Sequence, residues 1–179
     1  MAFLKYSHQS WYDITIVGLH TGLRAGEIFN LTTADVQLEK GLLVVLDTKS
    51  KSNRVIPLNR HSKDALERNL DPLSPSTPIF KHNSCKAFSR VVESCGLNQG
   101  VTDRRHRVVF HTLRHTFASW LVQAGVPIAV VSQLLGHQDL KMTMRYAHLA
   151  PQQARDAIEY LATIEIGLSQ DKNSQKLPI

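Results

Sequence analysis

The sequence predicts an α+β fold: a mostly helical domain with one small three-stranded antiparallel sheet. Three β-rich runs, 36–39, 42–48 and 54–58, follow one another with only short polar turns between them, the pattern of a meander. Outside that stretch apolar residues recur at helical spacing, with Gly and Pro at the segment ends. A length of 179 residues with 42% hydrophobic content is enough for one ordinary domain with its own core.

The elements follow in order. Residues 10–20 carry apolar side chains at helical spacing, with Ser10 as the expected N-cap. Thr21 and Gly22 interrupt, and a short helix is expected over 24–31. The meander follows, with Lys40-Gly41 and 49–53 as its turns. A helix over 61–70 leads into the loop DPLSPSTP, and another over 83–95 stops at Gly96. After the basic loop 98–107 come helices over 112–124, closed by Gly125, and over 127–135, opened by Pro127 and closed by Gly136. Helices over 141–148 and 151–164 complete the domain, placed at 1–165, and 166–179 read as a polar tail.

Composition narrows the function. The net charge is +6, which favours a polyanionic partner, because Lys and Arg that neutralise phosphates drive nucleic-acid binding. No apolar run approaches the roughly 18 residues of a membrane span, so no membrane partner is expected. The N-terminus lacks the apolar region of a signal peptide, and a cytoplasmic location is the default. Cys85 and Cys95 fall in one predicted helix, about 15 Å apart at the helical rise and so too far for a disulfide.

The candidate chemistry is basic. His111 and Arg114 of HTLRHTFASW are three apart and share a helix face, while Leu113, Phe117, Trp120 and Leu121 form an apolar one. His111 and His115 have the i, i+4 spacing of a zinc helix, but Thr112 stands where a metalloprotease needs its Glu and no third ligand is evident; no metal is expected. Arg24 sits between glycines in TGLRAGE, His137 lies just past a helix end in LLGH, and Tyr146 follows nine residues later in MRYAH.

These segments, with TKSKSNRVIPL at 48–58, resemble in content and order the motifs of the tyrosine recombinases, the phage-integrase family, and the resemblance covers about 12–160. It implies a catalytic set of Arg24, Lys49, His111, Arg114, His137 and Tyr146, the last as nucleophile. Lys51 shares the turn with Lys49 and is the alternative lysine. Lys51, Arg54, Arg105 and Arg107 read as contacts to the DNA backbone or as solvated loop charges.

Such a set suits phosphoryl transfer, which depends on positioning and on stabilising negative charge at the equatorial oxygens. Arg24 and Arg114 would clamp them with paired donors, and His137 would add a third donor. Ionising a phenol of pKa near 10 at pH 7 costs about 4 kcal/mol, so a base is needed, and His111 is the expected proton acceptor. Lys49 would protonate the leaving 5′ oxygen. The resemblance implies a 3′-phosphotyrosine intermediate, double-stranded DNA as partner and a homotetramer on paired sites, with 151–164 docking on a neighbour. No cofactor is expected: there is no Walker-type loop and no carboxylate cluster for magnesium. The short lead before the first helix reads as a fragment or excised domain. The rival readings are a type IB topoisomerase and a DNA-binding module without activity.

Overall fold

The computed structural model describes residues 7–46, 53–82, 84–149 and 158–160. Helix α1 (Ser7–Thr21) is already helical three residues before the expected start. Ser10 is therefore inside the helix rather than its cap, and its hydroxyl meets His82 Nε2 at 3.1 Å. Helix α2 (Ala25–Phe29) is a short stub whose N-cap is Arg24.

Strands β1 (Val36–Gln37), β2 (Leu42–Leu46) and β3 (Asn53–Pro57) form one antiparallel sheet in that order. The first run is shorter than expected, because 38–40 turn as a 3-10 helix. β2 and β3 pair from Leu42↔Pro57 to Leu46↔Asn53. Residues 47–52, where the second turn is expected, lie outside the described residues, and with them Lys49 and Lys51. Strand alternation turns Leu43 and Val45 of β2, and Arg54 and Ile56 of β3, to the buried face.

Helix α3 (Arg60–Glu67) starts at Asn59, whose side chain accepts from Ser62 N at 3.0 Å. It is tied to α1 through the fully buried Asp13, which accepts from Arg68 Nη2 at 2.6 Å and Asn69 Nδ2 at 2.8 Å. Helix α4 (Lys86–Ser94) is flanked by Cys85 and Cys95, both free thiols. Helices α5 (His111–Gln123), α6 (Ile128–Leu135) and α7 (Lys141–Met144) follow. α7 stops well short of the predicted 148, and Tyr146 sits between it and a 3-10 turn, Ala147–Leu149. Of the last predicted helix only 158–160 are described, and they are helical.

Two apolar clusters hold these parts. The larger joins α1, α2, the sheet and α3 to the start of α5, through residues such as Ile14, Ile28, Leu43, Ile56, Leu66 and Phe110. The smaller is Phe117, Ala118 and Val122 of α5 with Val131 and Leu135 of α6 and the ring of Tyr146. Each large side chain so buried contributes about 1.5–3 kcal/mol. Helix α5 runs through both clusters, which places its basic residues where they meet. Trp120, expected on the apolar face of α5, is instead half exposed.

Candidate active site

Arg114 is the centre of the site. It is 3% exposed and donates from Nη1 to Gly22 O at 2.7 Å and from Nη2 to Leu135 O at 2.6 Å. Those carbonyls stand two residues before Arg24 and two before His137. One guanidinium thus draws together chain segments far apart in sequence, and two of its five N–H donors do the work. Burial, then the positive charge of Arg24, push its pKa down to about 10, so it stays cationic at neutral pH.

Arg24 is half exposed at the N-cap of α2. Its backbone N–H donates to Glu27 Oε2 at 2.7 Å and its Nη1 to Glu27 Oε1 at 3.0 Å. Arg54 reaches the same carboxylate from β3, Nη1 to Oε1 at 3.0 Å and Nη2 to Oε2 at 2.8 Å, while its Nε donates to Leu134 O at 3.0 Å. Burial alone would raise the Glu27 carboxyl, but the hydrogen bonds from Arg54 and Arg24 and the charges of both hold it below the usual range. Arg54, expected as a possible DNA contact, is 8% exposed with all three guanidinium nitrogens engaged inside the protein. Its position on the inward face of β3 is the reason. Glu27 was not among the expected site residues; its i, i+3 spacing from Arg24 was the available signal.

His137 follows Gly136, which ends α6 in the left-handed region with φ 66°. Burial, then the charges of Arg114, Arg24, Arg145 and Arg54, push the imidazole down to about 4; it is neutral at neutral pH. Its Nδ1 lies 2.7 Å from the hydroxyl of Thr143, a fully buried residue of α7. When that hydroxyl donates to Nδ1, the ring carries its proton on Nε2, and a neutral His137 can then still donate a hydrogen bond. Arg24 and His137 line one open groove, bounded by α2, β2 and the α6–α7 junction.

Tyr146 has its ring in the smaller cluster and is 7% exposed. Burial raises its phenol, against the opposing pull of Arg145 and Arg114, so the hydroxyl is protonated at neutral pH. That hydroxyl meets Nδ1 of His115 at 2.5 Å. His111, the expected acceptor, instead packs edge-on against the His115 ring, with centroids 4.7 Å apart. Both imidazoles are pushed below the ordinary histidine range, first by burial, then by neighbouring positive charge and, for His111, by His115. Among the described residues no group of three metal-ligating side chains occurs, and no helix is long and apolar enough to cross a membrane.

The structure brings together Arg24, His111, Arg114, His137 and Tyr146. Arg105 and Arg107 stand apart on the exposed 98–107 loop, where Arg105 is held by Asp103 at 2.8 Å. A cationic groove backed by the buried Arg114, with a protonated phenol beside it and neutral imidazoles around it, can hold a tetrahedral anion and present an oxygen nucleophile to it.

Residues 1–153 match the model of the phage integrase family. The chain is 34% identical over 166 residues to a tyrosine recombinase of Pseudothermotoga lettingae, covering 88% of this chain and 57% of that protein. It is 33% identical over 177 residues to the integrase of Salmonella phage P22, covering 88% of this chain and 45% of that protein. The chain therefore spans about half the length of these relatives. The catalytic domain of bacteriophage HP1 integrase has the same fold, with TM-score 0.61 and 28% identity, over 89% of this chain and 95% of that one.

Proposed function

The chain belongs to the phage integrase family, and on that premise we propose that it is a site-specific recombinase that cuts and rejoins double-stranded DNA through a 3′-phosphotyrosine bond to Tyr146. The observation that supports the proposal is the reach of Arg114 to Gly22 O and Leu135 O, carbonyls two residues before Arg24 and two before His137, which themselves line one groove. Two guanidinium groups and one neutral N–H donor in a partly dry site suit the charge that develops on the equatorial oxygens. Lys49, outside the described residues, is the proposed acid for the leaving 5′ oxygen. Arg105 and Arg107, exposed on a basic loop, are proposed contacts to the DNA backbone. Assembly as a homotetramer on paired sites is proposed with the same premise.

A nicked suicide substrate tests the reading. The chain should form a protein–DNA adduct that resists denaturant, and Tyr146→Phe should form none while binding DNA as before. An adduct with Tyr146→Phe would show that another residue is the nucleophile.

A further inference from the structure

The phenol of Tyr146 must lose a proton when it attacks, and the hydrogen bond it makes goes to His115 Nδ1. His111 touches the His115 ring but makes no hydrogen bond to Tyr146 among the described residues. We infer that His115 is the proton acceptor for Tyr146, an inference that rests on Tyr146 being the nucleophile.

The role calls for the neutral tautomer with the proton on Nε2, which leaves the Nδ1 lone pair facing the phenol. As the Tyr146 oxygen bonds to phosphorus, its O–H bond breaks and the proton passes to Nδ1. The P–O5′ bond breaks, its electron pair stays on the 5′ oxygen, and that oxygen takes a proton from the general acid. On rejoining, a 5′ hydroxyl attacks and gives its proton back to the conjugate base of the general acid, while the Tyr146 oxygen leaves and recovers its proton from Nδ1. No proton is consumed over the cycle. The charged and titratable neighbours are His111 and Arg114 on the same helix, and Arg145 and Tyr146 beyond α7. Burial and these cations keep the resting ring neutral, ready to accept, and favour return of the proton once it is charged. The phenol becomes more acidic as its oxygen bonds to phosphorus, which offsets the weakened basicity of the ring.

The test has two parts. In single-turnover cleavage of a suicide substrate, His115→Ala should be slowed by about 10²-fold or more, and added imidazole should restore much of the rate. His115→Gln keeps a hydrogen-bonding side chain but no base, and should be equally slow. His111→Ala should not respond to imidazole. Thermal unfolding confirms that each variant is folded. A His115→Gln that cleaves near the wild-type rate overturns the inference, as does rescue of His111→Ala but not His115→Ala. In the free protein, the ¹⁵N signals of His115 should show an unprotonated, hydrogen-bonded Nδ1 whose shift moves in Tyr146→Phe. A protonated Nδ1 overturns the inference without any DNA. Absence of an adduct from the unaltered chain would instead sink the reading of the chain as a recombinase.

Discussion

Glu27 takes two arginines on one carboxylate, and they differ in burial. Arg24 is half exposed toward the groove, whereas Arg54 is 8% exposed. Among the described residues the exposed partner makes no side-chain hydrogen bond beyond its Nη1 bond to Glu27; the buried one supplies the counter-charge that holds Glu27 ionised. Removing Glu27 would leave Arg54 buried without an anion. Breaking a buried pair from one side costs about 3–5 kcal/mol, so Glu27→Ala should lower stability to urea by that order. It should also slow cleavage, since Arg24 loses the carboxylate that aims it. A loss well below about 1 kcal/mol would mean that water or a neighbour compensates Arg54. Arg54 itself could be misread from sequence. It alternates with Ile56 on one face of β3, and an arginine in register with an inward isoleucine is legible only once strand and face are known.

At the scale of elements, the site depends on how helices end. α1 ends at Gly22 and α6 at Gly136, both in the left-handed region with φ 66°. Each turn exposes carbonyls that arginines then occupy: Gly22 O and Leu135 O by Arg114, and Leu134 O by Arg54. A Cβ at Gly22 would lie 2.8 Å from Phe117 Cε1, and one at Gly136 the same distance from Arg54 Nη1. Gly22→Ala therefore carries a backbone penalty of about 1–2 kcal/mol and an overpacking penalty of about 1–3 kcal/mol. It should destabilise the fold by the sum of the two and weaken cleavage, because the Arg114 anchor moves with it. Denaturant titration and suicide-substrate cleavage check both; a variant as stable and active as the parent would show that Phe117 and Arg114 adjust freely. The helix ends at Gly125 and Gly136 were legible from the glycines. The end of α7 was not, because no Gly or Pro marks the break before Tyr146.

At the scale of the molecule, five partly buried histidines share one sign. His20, His82, His111, His115 and His137 are all pushed below the ordinary value of 6.5, each first by burial. The unfolded chain then binds more protons than the folded one as pH falls. Stability from these groups is fully present above about pH 6.5 and declines toward the folded value, about 4 for His137. Glu27 and Asp103, both held low, add to the decline below the carboxylate range. The urea midpoint should therefore be lower at about pH 5 than at about pH 7.5, and His137→Asn should flatten the difference. A midpoint that is unchanged or higher at the acid pH would show that the imidazoles are not held neutral by the fold.

The sequence by itself determined the fold class, the order of the elements and the five motifs, because periodicity, turn residues and local spacing are properties of the chain alone. It also determined which residue types could grip a phosphate and attack it. Tertiary structure decided what several of the basic residues touch. It turned Arg54 inward to a carboxylate contributed from α2, brought Glu27 into the site, and set His115 rather than His111 against the Tyr146 hydroxyl. The physical reason is common to the three. A hydrogen bond between residues 27 or 31 positions apart depends on how two elements pack, and packing follows from the whole core and not from any local pattern.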